Sequence, residues 1–332
     1  MRHFIIVGVL VIVAALATYF GLNSLGLMPV QASEQAASID WLWNLQVIAM
    51  SFLFALIMVP ILYSIVVFRR KKGDTTDAEH IEGNTTLEIT WTVIPLIAVV
   101  ALAYLGAYSL GETRRVDPNA MVIKVTARQW SWSFEYPDYG VTSKELYLPV
   151  GKQALLKMES SDVIHSFWVP EFRVKQDVVP GRVTEYRITP NLPGSYKVRC
   201  AEICGTSHAY MEGAVEVVSQ KNFDEWIAAR KSEAQAATTP EERGKLLVET
   251  NGCAACHSID GKAGIGPTWQ GLFGSQVTLA DDSTITADAA YLMESITSPT
   301  AKVVNGFQPN MPVFPLTDDQ IKNIVAYIKT LK

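Results

Sequence analysis

CAEICGTSHAYM, residues 200–211, is the stretch of this chain that constrains its fold and its chemistry most strongly. It places the thiols of Cys200 and Cys204, the imidazole of His208 and the thioether of Met211 in one short loop. All four side chains are soft or borderline ligands, which select copper rather than magnesium or calcium. Because two thiols stand so close together, each thiolate can bridge two copper ions. The loop therefore predicts a copper site.

Two other interpretations account for part of the same loop. A disulfide between the two cysteines explains neither a histidine nor Met211. A tetrahedral zinc site explains the histidines but leaves Met211 unused. Copper uses all of these side chains, provided that a second histidine comes from elsewhere. His165, in the segment SDVIHSF of residues 161–167, is the candidate for that histidine.

Length, charge and cysteine content restrict the class of protein. The chain has 332 residues, enough for two or three domains. Its formal net charge of −5 argues against nucleic acid as a partner. The four cysteines form two close pairs, each followed by a histidine, so that none is left for a structural disulfide between distant parts.

Three apolar runs near the N-terminus, residues 4–27, 41–68 and 89–110, are long enough to cross a bilayer, because a helix needs about 20 apolar residues to do so. The first run is either a signal peptide, with Val30-Gln31-Ala32 as cleavage site, or an extra transmembrane helix. The basic cluster RRKK at residues 69–72 is expected to stay in the cytoplasm. The third run then leads the chain out, and everything after about Thr113 lies outside.

From Met121 to about Val218 the chain consists of short alternating segments, which are typical of half-buried strands. Turn signals such as Pro149-Val150-Gly151 and Pro180-Gly181 separate these segments. This spacing predicts an antiparallel sandwich or barrel, in which rigid strands hold copper-binding loops at one end, as in a cupredoxin. The aromatic run QWSWSFEY, residues 129–136, is either one buried face of a strand or, at its first Trp, a docking surface for an electron donor.

A second cofactor signature follows a polar, helical linker. NGCAACH at residues 251–257 contains the Cys-x-x-Cys-His pattern of c-type heme attachment. Cys253 and Cys256 would add across the heme vinyl groups, and His257 would bind the iron. The same pattern could be half of a zinc site or a thioredoxin-like redox pair. A zinc site needs a second pair of ligands, and the sequence has none downstream. A thioredoxin-like pair needs a βαβ context, which the surrounding sequence does not predict.

The second axial heme ligand has two candidates. Met311, in the Pro-constrained segment Asn310-Met311-Pro312, supplies a thioether that raises the heme potential. Its competitor Met293 falls in a predicted helix and is assigned to the core. Further helices are predicted from Pro240, which Thr239 caps, and from the capping box Thr317-Asp318-Asp319-Gln320.

Residues from Trp41 to about Val218 resemble subunit II of the heme–copper oxygen reductases, the cytochrome c oxidases. The resemblance covers the helical hairpin, the aromatic run, the His165 segment and the loop 200–211. It implies a dinuclear copper centre, CuA. The implied ligands are His165, Cys200, Cys204, His208, Met211 and the backbone carbonyl of Glu202.

The same resemblance implies roles for three further groups. The carboxylate of Glu202 matches a ligand of a magnesium or manganese ion shared with subunit I. Trp130 matches the residue at which electrons enter. Glu88, three residues before Trp91, matches a carboxylate at the mouth of a proton path into subunit I.

The stretch from Pro240 to Lys332 resembles the class I cytochromes c. The segment Gly264-Ile265-Gly266-Pro267-Thr268 matches a loop in which the carbonyl of Pro267 accepts a hydrogen bond from the ligand histidine. In that family the last helix packs on the first helix of the domain.

The resemblances together imply a bacterial, multi-pass membrane protein, the subunit of cytochrome c oxidase that passes electrons from an external donor, through heme c and CuA, to the oxygen-reducing subunit I. Its partners would be subunits I and III, the lipid bilayer and a donor that is a cytochrome, a copper protein or a membrane complex. No catalytic residue is expected in this chain, because its copper ligands leave no open position for substrate. Two alternatives stay open: the equivalent subunit of a copper-containing nitric oxide reductase, and a free-standing membrane redox carrier.

The expected fold class is a multidomain membrane protein with transmembrane helices, an all-β cupredoxin-like sandwich and an all-α class I cytochrome c domain, the last two on the periplasmic or extracellular side. The expected segments are an apolar N-terminal segment (1–32), a transmembrane hairpin (33–112), the CuA domain (113–218), a linker (219–238) and the cytochrome c domain (239–332).

Overall fold

A computed structural model of the chain describes residues 1–77, 80, 82–262, 264–314 and 316–332. The chain divides into two units, Met1–Arg115 and Val116–Lys332. The first consists of helices, and the second joins a β-sandwich to a small helical domain.

Helices α1 (Arg2–Ser24), α2 (Glu34–Val67) and α3 (Thr85–Thr113) form the first unit. All three are long and apolar enough to cross a membrane, as the three apolar runs predict. At 1.5 Å per residue, the 34 residues of α2 span about 50 Å, which exceeds the hydrocarbon core of about 30 Å. At least one end of α2 therefore extends beyond the apolar layer.

Polar pairs join these apolar helices. The Tyr19 hydroxyl of α1 donates to the Asn44 side chain of α2 at 2.9 Å. The hydroxyls of Ser38 in α2 and Ser109 in α3 share a hydrogen bond of 2.9 Å. Side-chain hydrogen bonds of this kind stabilise helix association in a medium without water. Whether α1 is a signal peptide or a transmembrane helix stays a matter of prediction.

Two five-stranded sheets face each other in the second unit, and we call them together the sandwich (residues 121–218). One sheet has the order β3-β2-β1-β5-β8 and the other the order β4-β10-β9-β6-β7. The predicted sandwich is confirmed, although β1 with β5 and β4 with β10 pair in parallel. The spacing of the turns predicts that each strand pairs with the next one along the chain. The two parallel pairs instead join strands that are distant in sequence. The strands are β1 (Met121–Arg128), β2 (Ser131–Tyr136), β3 (Val141–Ser143), β4 (Leu146–Pro149), β5 (Ala154–Ser160), β6 (His165–Trp168), β7 (Lys175–Val178), β8 (Thr184–Ile188), β9 (Gly194–Cys200) and β10 (Glu212–Val218).

The segment between the sandwich and the last domain is mostly helix α4 (Gln220–Ala236). Its Trp226 ring stacks on Tyr147 of β4, with centroids 4.3 Å apart and planes 9° from parallel. Phe223, one turn earlier, is fully buried and contacts the ring of Tyr136. The first half of the predicted linker is thus part of the sandwich core, because its aromatic residues recur at helical spacing.

Residues 239–332 form the C-terminal domain, with α5 (Pro240–Thr250), β11 (Gln276–Thr278), β12 (Thr284–Thr286), α6 (Ala289–Thr297) and α7 (Asp318–Ile328). Capping boxes at Thr239 and Thr317 begin α5 and α7, the second as predicted. Helix α7 packs across α5 at Gly244, where an added Cβ would lie only 1.9 Å from the Asn323 carbonyl oxygen. The expected packing of the last helix on the first is confirmed.

Candidate metal centre and cofactor cavity

Neighbouring strands bring the predicted copper ligands together. His165 begins β6 and Cys200 ends β9, and these strands pair with Phe167 opposite Cys200. The backbone N–H of Cys200 donates to the carbonyl of Met211 at 3.1 Å, which closes the loop 200–211 between β9 and β10. The hydrogen bonds between β9 and β10 thus fix both ends of the loop.

The donor atoms of the loop lie within reach of shared metal ions. The Cys200 and Cys204 sulfurs are 3.7 Å apart, and Nδ1 of His165 lies 3.8 Å from the Cys200 sulfur. Nδ1 of His208 is 3.5 Å from the Cys204 sulfur, and the Met211 sulfur is 3.8 Å from the same atom. The backbone carbonyl of Glu202 lies 3.2 Å from the Cys200 sulfur.

These separations suit ligands of a soft metal. Two donors held about 2.0–2.3 Å from one ion at tetrahedral angles are roughly 3.5 Å apart. Both cysteines are free, and the ligand atoms of His165, Cys200 and Cys204 lie within 4.8 Å of one another in a buried cluster. Each sulfur has its own histidine nitrogen nearby, so that the residues fit two ions bridged by two thiolates better than one ion.

Asp162, which the sequence reasoning missed, orients His165. Nε2 of His165 lies 2.8 Å from the Asp162 carboxylate, which accepts the hydrogen bond, so Nε2 carries the proton and Nδ1 faces the sulfurs. The Asp162 carboxylate also accepts from the backbone N–H of Gln129 at 2.6 Å and of Val163 at 2.7 Å. The sequence signal that could have identified Asp162 is a carboxylate three residues before a candidate histidine ligand.

Hydrogen bonding governs the protonation of this cluster. Burial alone would raise the pKa of Asp162, but the hydrogen bonds from His165 and the backbone amides hold it below its ordinary value. Burial likewise opposes ionisation of Cys200, yet hydrogen bonds from the backbone, and from Nδ1 of His165 while that ring is protonated on both nitrogens, bring the pKa of Cys200 down to about 6. Burial and the neighbouring Cys200 thiolate raise the pKa of Cys204. One thiol therefore ionises readily, and the second needs a metal cation to do so.

The heme-attachment pattern lies in a cavity of the C-terminal domain. The cavity encloses about 1300 Å³, including space open to solvent, and Cys253, Cys256, His257 and Met311 all line it. Met293 and Met311 both pack against the apolar residues of the helical core. Of these two methionines, Met311 lines the cavity together with His257, and Met293 does not.

His257 presents one defined nitrogen to this cavity. Its Nδ1 lies 2.8 Å from the Pro267 carbonyl, which can only accept, so Nδ1 is the protonated nitrogen and Nε2 carries the free lone pair. Burial lowers the pKa of His257, which keeps the ring neutral. The ring of Trp269 stacks on it at 4.8 Å, and a Cβ at Gly266 would lie 2.7 Å from it.

The two cysteines of the pattern suit thioether bonds. Burial raises the pKa of Cys253 to about 11 and also that of Cys256 above its ordinary value. Both are therefore neutral thiols at physiological pH, and a thioether bond likewise leaves no charge to bury. These cysteines and the neutral His257 fit a covalently attached heme.

Trp130 connects the copper loop with this cavity. It occupies the two-residue turn between β1 and β2, because Arg128 pairs with Ser131 in the ladder. Its indole N–H donates to the carbonyl of Cys204 at 3.2 Å, and the Gln129 amide donates to the same oxygen at 2.7 Å. Trp130 is buried and also lines the cavity of the C-terminal domain. Trp132, Phe134 and Tyr136 form the buried face of β2, as the packing interpretation predicts. The docking-surface interpretation is wrong for Trp130, which is only 7% exposed because the copper loop and the C-terminal domain cover it.

Two carboxylates from the sequence analysis lie on the surface. Glu202 is exposed on the copper loop, and only its backbone carbonyl points at a sulfur. Ile203 and Tyr210 on the same loop are also exposed, at 79% and 84%. Glu88 belongs to the first unit, where it is exposed in the first turn of α3.

Three segments of the chain match described protein families. Residues 17–110 match the transmembrane domain of cytochrome c oxidase subunit II, and residues 141–218 match its periplasmic domain. Residues 241–332 match the cytochrome c family.

Relatives match over most of the chain. Cytochrome c oxidase subunit 2 of Alkalihalophilus pseudofirmus is 31% identical over 88% of this chain and 88% of its own length. That of Synechocystis is 33% identical over 71% of this chain and 86% of its own length. Among solved structures, the periplasmic domain of subunit II of cytochrome oxidase from Bradyrhizobium japonicum is 33% identical, with a TM-score of 0.34, over 35% of this chain and 98% of that domain.

Proposed function

This chain belongs to the family of cytochrome c oxidase subunit II, and on that basis we propose that it is the subunit through which electrons enter a terminal respiratory oxidase. It is a membrane protein with periplasmic domains that carries copper and heme c, and it works with other oxidase subunits as part of an enzyme complex. We assign the oxygen chemistry to subunit I, because the proposed copper site has protein ligands for both ions and reserves no position for substrate.

We assign a dinuclear CuA centre to the loop 200–211 together with His165. The support is the doubled set of donors, because the two sulfurs are 3.7 Å apart and each lies within 3.8 Å of a separate histidine nitrogen. Bound copper and bound heme supply one-electron transfer. The residues supply a rigid cage, in which Asp162 fixes the His165 ring and the strands fix both ends of the loop, so little must rearrange when the charge changes.

The C-terminal domain would hold heme c through four residues. Cys253 and Cys256 would form the thioether bonds, and Nε2 of His257 and the Met311 sulfur would be the axial ligands. The Pro267 carbonyl keeps the proton on Nδ1 of His257, which leaves Nε2 available. Loss of the hydrogen-bond partner of a metal-binding histidine, here the Pro267 carbonyl, typically lowers metal affinity or activity 10–100-fold.

The observation that carries the proposed function is the double contact of Trp130. Its ring forms part of the wall of the heme cavity, and its N–H holds the carbonyl of a copper ligand, Cys204. A buried ring that lines the heme cavity and hydrogen-bonds to the backbone of a copper ligand provides a short connection between the two sites. We therefore place Trp130 on the route of electrons from the C-terminal domain to the copper loop.

The exposed side of the copper loop is the proposed contact with subunit I. The Glu202 carboxylate would join a magnesium or manganese ion there, since hard cations prefer oxygen ligands. Ile203 and Tyr210 expose apolar surface on the same loop, as expected where another subunit covers it. Glu88, near the cytoplasmic end of α3, would face the same subunit at the mouth of a proton path. Subunit III and an external donor complete the proposed set of partners.

Copper EPR of the purified full-length chain tests the metal assignment. We expect the hyperfine pattern of one unpaired electron shared by two copper ions, and its loss in Cys204→Ser. The matched variant Cys256→Ser removes a cysteine of the heme site and should leave the copper signal unchanged. A wild-type signal with the pattern of a single copper ion would refute the dinuclear assignment.

The alternatives are separated by the complex in which the chain occurs. Purification from native membranes should yield a complex that reduces oxygen. A complex that reduces nitric oxide instead would identify the copper-containing nitric oxide reductase, and migration as a lone chain in blue-native electrophoresis would identify a free-standing carrier.

A further inference from the structure

Arg128 is a buried cation at an outward-facing position of the sandwich. Along β1 the inward residues Ile123, Val125 and Ala127 are buried, whereas Lys124 on the opposite face is exposed. Arg128 has the same parity as Lys124, so the alternation of a strand points it outward. Its exposure is nevertheless only 6%. Something other than the sandwich therefore covers it.

The C-terminal domain provides this cover. The Arg128 guanidinium lies over the ring of Phe314, 4.5 Å from the centroid. Ser131, the partner of Arg128 in the ladder, touches Gly252, since a Cβ added at Gly252 would lie 3.0 Å from the Ser131 side chain. Gly252 directly precedes the first heme-attaching cysteine and has a φ of +70°. The tip of the β1–β2 hairpin therefore packs against the heme-attachment segment.

The charge of Arg128 lies between the two cofactor sites. The guanidinium lies close to Cys253 on the heme side and within electrostatic reach of the Asp162 carboxylate, the partner of His165, on the copper side. Within the described part of the chain its Nη1 is buried and has no hydrogen-bond partner. Burial lowers the pKa of Arg128, but a guanidinium remains charged at any physiological pH. A positive charge inside the protein is screened only weakly by salt.

We propose that Arg128 is a positioning residue through which the sandwich raises the reduction potential of the heme in the neighbouring domain. The inference rests on the proposed heme attachment to Cys253 and Cys256. Ferric heme carries one positive charge more than ferrous heme, so a nearby buried cation disfavours the oxidised form. Net charge and burial around a redox group set its potential. The cation–π contact with Phe314 also holds the C-terminal domain against the hairpin, and it is this contact that places the charge near the heme-attachment segment.

The test is a spectroscopic redox titration of heme c in the full-length, copper-loaded chain. Arg128→Met keeps an elongated side chain and removes the charge, and replacing a buried ion by an apolar side chain of similar volume is usually tolerated. We expect the ratio of reduced to oxidised heme at a fixed ambient potential to fall about tenfold, which corresponds to 59 mV for a one-electron couple. Arg128→Gln should give the same shift, so that failure of one variant to fold leaves the other.

Two further variants separate charge from shape. Lys124→Met removes one positive charge from the same face of the same strand, where Lys124 is exposed and paired with Glu135, and should leave the potential unchanged. Arg128→Lys keeps the charge without the guanidinium group and should retain most of the wild-type potential. The proposal is overturned if Arg128→Met shifts the potential no more than Lys124→Met does, or if Arg128→Lys loses as much as Arg128→Met.

The heme spectrum of each variant distinguishes this inference from the function on which it rests. A covalent c-type heme in the wild-type chain supports the proposed attachment, and an unshifted potential then refutes only the role of Arg128. A wild-type chain without covalent heme refutes the proposed function and this inference with it.

Discussion

Replacement of Gly244 by alanine should strongly destabilise the C-terminal domain. Gly244 lies inside α5, where alanine by itself would stabilise a helix by about 1 kcal/mol. The added Cβ, however, would lie 1.9 Å from the Asn323 carbonyl oxygen, 2.5 Å from its carbon and 2.9 Å from the Tyr327 Cβ. Two of these atoms belong to the backbone of α7, so no side chain can swing aside.

The magnitude follows from the shift that the helices must make. Real Cβ atoms stay more than 3.0 Å from such neighbours, so α5 and α7 must separate by more than 1 Å. That movement loosens Val248 of α5 from the buried face of α7, which includes Ile324 and Ile328. Overpacking in a tight core costs about 1–3 kcal/mol and sometimes more, and this contact falls at the upper end. After the gain in helix propensity, we expect a net loss of about 2 kcal/mol.

Thermal unfolding of the full-length chain, followed by heme absorbance, measures this loss. A loss of about 2 kcal/mol lowers the melting temperature of a domain of this size by roughly 8–16 °C. Lys245→Ala, at the next position of the same helix but exposed, should change stability by less than about 0.5 kcal/mol. A Gly244→Ala domain that melts above the wild type would mean that helix propensity alone acts at this site and would refute the close crossing of α5 and α7.

Three more predictions concern the metal site, the linker helix and the heme. Asp162→Asn leaves the His165 ring without its carboxylate partner, so copper affinity measured by competition with a chelator should fall by about 10–100-fold; unchanged affinity would contradict the role of Asp162. Trp226→Ala removes a buried ring stacked on Tyr147 and should destabilise the sandwich by about 3–5 kcal/mol in a denaturant titration. An effect below about 1 kcal/mol would show that α4 does not pack there. Met311→Ala should abolish the methionine-linked charge-transfer band of ferric heme, and a band that persists would favour Met293.

Local patterns predict those features whose residues lie close together in the sequence. The loop 200–211 and the heme pattern at residues 251–257 each carry most of a ligand set, and the structure gathers each set in one place. The three apolar runs and the capping box at Thr317 depend on single segments, and all four become helices or a helix start. The sequence also identifies His165, because a copper site with one loop histidine requires a second.

Contacts between distant segments are not predictable in this way. The burial of Arg128 depends on Phe314, and the need for Gly244 depends on Asn323, and neither pair shares a local pattern. The packing of α4 on the sandwich depends on Tyr147. In each case the decisive partner comes from another element, and only tertiary packing brings the two together.

Time-resolved electron transfer from heme c to copper tests the central claim most directly. A light pulse on an added photoreductant, which gives one electron to the heme of the full-length, copper-loaded chain, starts the reaction, and the copper absorbance follows the transfer. We predict that Trp130→Phe, which loses the hydrogen bond to the Cys204 carbonyl, slows the transfer at least tenfold, equal to about 1.4 kcal/mol in barrier height. The control variant is Trp226→Phe. The Trp226 ring packs α4 onto Tyr147 of the sandwich, and its replacement should leave the rate of electron transfer at the wild-type value. Equal rates for the wild type and Trp130→Phe would contradict the account.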